Sequence, residues 1–139
     1  MLALLRTLRC AFAVVGIALA AASAQGIAYA ASTIPPALVH DLALGENDEK
    51  IKAMSQLAAS GDEGALELLV ALQAGEIQTA GEVVLRVKDG AAIDVATGNK
   101  VVPLPEPRDD VVLNNRVRRE LGSAIAALKL ASPDRATRL

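Results

Sequence analysis

The chain has no tryptophan, one phenylalanine, one tyrosine, one cysteine and one histidine among its 139 residues. The shortage of aromatic side chains excludes a core built around large ring anchors. Its apolar residues are mostly Ala, Leu and Val. Ala and Leu head the helix propensity scale, so close packing of helices through small side chains is the expected outcome. The length allows one small domain at most.

The scarcity of His and Cys also restricts the chemistry. His40 is the one histidine, and Cys10 lies in the N-terminal apolar run. No set of nitrogen and sulfur ligands for a metal is expected. His40, beside Asp41, reads as a surface or half-buried side chain, and nothing orders a nucleophile around it. The glycines are scattered at predicted helix ends and turns, where they have a local role, and they form no phosphate loop. The pairs Asp109-Asp110 and Asp48-Glu49 read as helix-start carboxylates, favoured at the positive end of the helix dipole, rather than as an acid–base pair. No enzymatic activity, cofactor or metal is expected.

What the sequence has in plenty is an apolar N-terminus. Arg6 and Arg9 precede an uncharged run from Cys10 through Ala24, which closes on the small-residue pattern Ala22-Ser23-Ala24. This is the layout of a signal peptide over residues 1–24. Ala28-Tyr29-Ala30 offers a second cleavage point after residue 30. The rival reading is an uncleaved anchor, because the uncharged stretch continues to about Leu38, long enough to span a bilayer. The chain is thus expected to be exported, to the periplasm or the outer face of the inner membrane. Cleavage after residue 24 would leave no cysteine, so the exported part must hold together by packing alone.

Charge is uneven beyond that point. Residues 25–107 carry 5 basic and 12 acidic side chains, and residues 108–139 carry 7 basic and 4 acidic ones. The basic end is diluted by Asp109, Asp110, Glu120 and Asp134, and reads as a solvated surface before it reads as a membrane-binding one. Arg116, Arg118 and Arg119 cluster without interleaved aromatic residues in a chain that is acidic overall, so no nucleic-acid partner is expected.

The expected fold class is mostly α with a small β-hairpin insertion, built on HEAT-like antiparallel helix pairs after an N-terminal signal segment. Helical units are expected over residues 34–75. The first helix runs from about Pro36 to Leu44, between the Pro35-Pro36 entry and Gly45, with Leu38, Leu42 and Val39 inward. Asn47 or Asp48 caps the next helix, whose Ile51, Met54, Leu57 and Ala58 follow helical spacing. Asp62 caps a third, with Leu66, Leu69, Val70 and Leu72 as its stripe and Gly75 as its stop. So short a turn makes the second and third helices antiparallel.

Residues 76–107 change period. Glu82–Val87, Ala92–Val95 and Lys100–Val102 read as two or three strands, with turns at Lys88-Asp89-Gly90 and Thr97-Gly98-Asn99. Pro103, Pro105 and Pro107 make an extended connector. Residues 108–139 hold a helix starting near Asp109 or Asp110, with Leu113, Val117, Leu121, Ala124 and Leu128 inward and an Arg116–Glu120 pair outward. Ser132 and Pro133 then open a further element. Its residues Arg135 to Leu139 have nothing of their own to pack against, so the chain is expected to be the front portion of something longer. Asp48–Ala53 and Asp134–Leu139 open helices with similar patterns, which suggests a second HEAT-like unit.

The order of signal-like segment, helix pair, Val-rich hairpin and Thr97-Gly98 turn is followed by Val111-Val112-Leu113-Asn114-Asn115-Arg116-Val117-Arg118-Arg119. Leu128-Lys129-Leu130-Ala131-Ser132-Pro133-Asp134 comes next. This order resembles the N-terminal extracytoplasmic region of the urea ABC transporter permease, a relative of the branched-chain amino acid permeases. The resemblance covers nearly the whole chain and rests mainly on the Asn-Asn-Arg-x-Arg-Arg and Leu-x-Ser-Pro-Asp segments. It implies a role in urea uptake beside a second permease, ATP-binding subunits and a periplasmic urea-binding protein. Membrane attachment would come through a C-terminal part that this chain does not include, or through an uncleaved N-terminal segment. It implies no transport path and no urea-contacting residue here. Asn114, Asn115, Arg116, Arg118 and Arg119 are the candidate partner-docking residues, because Asn and Arg offer dense hydrogen bonding and Arg pairs bidentately with carboxylates. The alternative is a free-standing exported helical adaptor.

Overall fold

A computed structural model of the chain describes residues 34–132. The signal segment, Cys10, and the element expected from Pro133 onward lie outside the described residues. Four helices and five strands follow in the order α1 (Pro36–Leu44), α2 (Asn47–Ser60), α3 (Glu63–Ala74), β1 (Ile77–Ala80), β2 (Val83–Lys88), β3 (Ala91–Asp94), β4 (Lys100–Val101), β5 (Asp109–Asp110) and α4 (Asn115–Ala131). About half of the described residues are helical.

Local chemistry sets the helix limits. Pro36 sits in the first turn of α1, where a missing N–H costs nothing, and Gly45 ends it. The start of α2 is stabilised from Glu46 rather than from Asn47 or Asp48. The Glu49 carboxylate accepts from the Glu46 N–H at 2.7 Å, satisfying a backbone donor that the helix leaves free. Asp62 caps α3 by accepting from the Gly64 N–H at 2.7 Å. Gly61 and Gly75, at φ 66° and 78°, take the left-handed conformation that ends α2 and α3.

The four helices share one apolar core. Val39 and Leu42 of α1, Met54 and Leu57 of α2, Leu69 and Leu72 of α3, and Val117, Leu121 and Leu128 of α4 are buried in it. Leu38 is only partly buried, so Val39 takes the central inward position on α1. Val70 is 40% exposed, and Leu68 fills the inward position on α3 instead. α2 packs on α1, α3 and α4, and α4 packs on α2 and α3.

The β part is larger than a hairpin. It is a five-stranded antiparallel sheet in the order β4-β3-β2-β1-β5. Asp109 and Asp110 do not open the last helix. They form β5, with Gln78 opposite Asp110 and Thr79 opposite Asp109, and α4 begins only at Asn115. Ile77 and Val84 belong to one face of the sheet and join the helical core.

Gln78, Leu85, Asp94 and Asp110 share the other face by register. On it Leu85 and Ala92 are buried, at 0% and 1% exposure, yet stand outside the helical cluster. The helical core takes the opposite face, which leaves the Pro-rich connector to cover them, and Arg108 brings it to Gln78 on this face. β4 and β5 are the two edges of the sheet, so residues 102–108 must cross it. Four inter-strand spacings make roughly 19 Å, and seven residues reach at most about 25 Å. The strap has slack for this span, and it bends at residues 102–103 and 106–107, where the Val102-Pro103 and Glu106-Pro107 peptide bonds are cis. Arg108 pins its end, donating through Nε to Gln78 Oε1 at 3.0 Å and through Nη1 to the Pro105 carbonyl at 3.0 Å. Gln78 Nε2 in turn donates to Asp110 Oδ1 at 2.9 Å.

Candidate partner-docking surface

The start of α4 gathers the residues singled out in the sequence. Asn114 is the N-cap, and its Oδ1 accepts from the Val117 N–H at 2.8 Å. Arg118 folds back so that its Nε donates to the Leu113 carbonyl at 3.1 Å. Both side chains thus help fix the entry of α4. Arg116 does not pair with Glu120 but reaches across to α2, its Nη1 3.1 Å from Asp48 Oδ1. Asn115 and Arg119 are exposed. Among the described residues, none pairs with the Arg119 guanidinium.

The electrostatics of this end are unusual for a helix start. The first turn of α4 contains no acidic residue but includes Arg116 and Arg118, with Arg119 following. Cations there oppose the helix dipole, whose positive end already lies at the N-terminus. In α2 the same position holds Asp48 and Glu49, the favourable arrangement. Asp48 therefore serves its own helix and offsets part of the charge of the neighbouring one.

The Asp48–Arg116 pair also marks the relative direction of the two helices. It joins their N-terminal ends, and Ala58 and Ala127, toward their C-terminal ends, line one groove. α2 and α4 therefore run parallel. A shallow groove of about 290 Å³ lies between them. Ile51, Ser55 and Ala58 form one wall, Glu120, Ser123 and Ala127 the other, and Met54 and Ala124 line its floor. Small side chains on both walls permit close approach of another backbone. Most of the inward stripe of α2 and of α4 is legible in the sequence, whereas this groove is not. Its only sequence signal is the run of Ser and Ala at helical spacing beside each stripe.

A second polar feature lies under the α1–α2 turn. Lys50 is 8% exposed, and its Nζ donates to the Gly45 carbonyl at the end of α1. Burial holds its pKa below the usual lysine value, with Glu46 and Glu49 pulling the other way. On α3 and β2, Arg86 ties together Glu76, at 3.0 Å, and Glu67, at 4.0 Å. Both are structural clamps whose charged groups are already engaged.

His40 is 54% exposed and lies 3.8 Å from Asp41. Among the described residues, no group of three or more His, Cys, Asp and Glu side chains is placed to hold a metal ion, and no helix is long and apolar enough to cross a membrane. No family model, curated protein or solved structure matches the chain.

Proposed function

We propose that this chain is a partner-docking module, the exported N-terminal part of a urea ABC transporter permease. It contributes to urea uptake through contacts with the permease partner or the periplasmic urea-binding protein, and has no transport path of its own. The Asn-Asn-Arg-x-Arg-Arg and Leu-x-Ser-Pro-Asp segments carry the family resemblance. The observation that carries the docking role is the geometry of α2, α3 and α4. α2 and α4 lie parallel, and α3 connects to α2 through a short turn and packs on both. That arrangement supports a HEAT-like reading, in which stacked helices leave one face for partners. The HEAT-like reading thus pairs α2 with α4 as neighbouring first helices, whereas residues 134–139, paired with Asp48–Ala53 in the sequence, lie outside the described residues. Asn115 and Arg119 supply exposed hydrogen-bonding groups at one end of that face.

The test is co-expression of the full chain with a tagged urea-binding protein, the second permease and the ATP-binding subunits. Retention of the chain on at least one of them, weakened at least fivefold by Arg119→Glu, is expected. No association with any transporter component rejects the reading.

A second reading is a free-standing exported helical adaptor. It draws support from the shared helical core, in which Val39, Leu42, Met54, Leu57, Leu69 and Leu121 are buried. Under it, the chain associates with an exported protein unrelated to transport.

A further inference from the structure

We infer that Asp89-Gly90, at the tip of the β2–β3 hairpin, is a self-modifying site. There the chain converts from an aspartyl to an isoaspartyl linkage through a cyclic imide, with water as the sole co-reactant. The reaction needs no partner and does not depend on the docking role proposed above.

The sequence holds one Asp followed directly by Gly, and it is this one. β2 ends at Lys88 and β3 begins at Ala91, with Lys88 opposite Ala91, so Asp89 and Gly90 are the two central residues of the turn. Their φ angles are 51° and 77°, both positive, as a two-residue hairpin turn that follows the strand twist requires. Asp89 is the one non-glycine residue with positive φ among the described residues. Its Cβ is crowded by the following carbonyl oxygen in that conformation. Both residues are exposed. Among the described residues, no group pairs with the Asp89 carboxylate, and the neighbouring Lys88 reaches Glu76 Oε1 instead, at 3.8 Å. A Cβ at Gly90 would meet nothing within 4 Å beyond its chain neighbours, so no packed side chain shields the Gly90 nitrogen.

The chemistry follows from these neighbours. The Gly90 amide nitrogen attacks Asp89 Cγ of the protonated carboxyl. A new N–C bond closes a five-membered imide, and the carboxyl hydroxyl leaves with the amide proton as one water. Water then adds to either imide carbonyl. Opening at Cγ restores Asp89. Opening at the former backbone carbonyl leaves the chain running through Cβ and Cγ, with a free α-carboxylate. The mass is unchanged overall. In the isoaspartyl form Cβ lies within the main chain, so the crowding of a side-chain Cβ at positive φ is removed. The main chain of the turn is longer by one methylene. The Lys88–Ala91 pair beside it loosens first, and Ala92, buried at 1% exposure in the next position, is the first buried side chain to be affected.

The test ages the full chain in warm, mildly acidic buffer. Isoaspartate is measured by enzymatic methyl transfer to its α-carboxylate and located by fragmentation mass spectrometry. Position 89 is expected to exceed every other Asp at least tenfold, and to gain heavy oxygen when the buffer is made with heavy-oxygen water. Amide exchange of β2 and β3 should quicken in the aged chain while its helical circular dichroism is unchanged. Gly90→Ala should slow the reaction at least tenfold. Asp89→Asn keeps the turn and should react at least tenfold faster, losing ammonia in place of water.

Isoaspartate spread evenly over the Asp residues overturns the inference. So does an aged folded chain with none at position 89 when a peptide of residues 86–93 forms it, since the folded turn then holds the nitrogen away from Cγ. Asp89→Asn that keeps its mass on ageing does the same.

Discussion

Arg116 and Asp48 lie 68 positions apart in sequence, and their side chains meet at 3.1 Å across the N-terminal ends of α4 and α2. The contact spans the whole sheet and strap in sequence. It marks which end of α4 lies beside which end of α2.

The direct energetic contribution of that pair is small. Arg116 and Asp48 are 63% and 81% exposed, and exposed pairs contribute about 0.2–1 kcal/mol. A double-mutant cycle on Arg116→Ala and Asp48→Ala, followed by urea unfolding, should give a coupling below about 1 kcal/mol that declines with salt. A coupling of about 2 kcal/mol or more, insensitive to salt, would mean the pair is shielded from water.

Leu121 carries far more. It is 1% exposed at the centre of α4, in contact with the shared core. Leu121→Ala should cost about 2–5 kcal/mol through lost burial and a residual cavity. Val70→Ser, at a position 40% exposed, should stay within about 0.5 kcal/mol. Comparable losses for the two variants, in the same denaturation assay, would contradict the inward placement of Leu121 and the outward placement of Val70.

Asn114 acts through one hydrogen bond to the Val117 N–H. Asn114→Ala should destabilise by about 1 kcal/mol and Asn114→Gly by only a few tenths. The difference between the two separates capping from any contribution of the side chain to partner binding. If Asn114→Ala leaves the thermal midpoint unchanged, capping is not the role of this residue.

Lys50 gives the chain a pH signature on the alkaline side. Its folded pKa is lowered from 10.5, first by burial. Between the folded and unfolded values the unfolded chain binds more protons, so stability rises with pH there and the gain is complete above the unfolded value. Lys50→Met keeps the apolar stem and removes the titration. Urea midpoints compared just below and at pH 10.5 should rise for the unmodified chain relative to Lys50→Met, after allowing for the common baseline. A relative fall of the unmodified chain over that interval reverses the sign and removes burial as the dominant cause.

The helices were largely legible in the sequence because their signals are local. Pro36 and Gly45 delimit α1, and Asp62 and Gly75 frame α3. Val117, Leu121, Ala124 and Leu128 follow the helical period and are buried as read, whereas Leu113 precedes α4 and is only partly buried. The sheet was only half legible. β2 and β3 announce themselves by β-branched residues around the Asp89-Gly90 turn. β1 is Ile-Gln-Thr-Ala and β5 is Asp-Asp, neither of which has a strong intrinsic strand preference. β1 is a strand because it pairs along its length with β2, and β5 because it pairs with β1 from about 30 residues away. Two adjacent carboxylates look like a helix start until the Gln78 amide and Thr79 are known to lie beside them. In the docking cluster, the types of the residues were legible. Which of them serve α4 itself, as Asn114 and Arg118 do, depends on backbone atoms that no spacing rule reveals.

The strap over residues 102–108 has a further consequence for how the molecule comes apart. Because one ribbon of chain ties both rims of the sheet, fraying at β4 transmits directly to β5, although each rim is only two residues long. Peeling the ribbon away wets Leu85 and Ala92 together. Amide protons of the three central strands should therefore exchange as a single cooperative unit, with no sequential unzipping from one side. Rims this short are also poor templates for an added strand, so the sheet side of the protein is closed to edge-to-edge polymerisation.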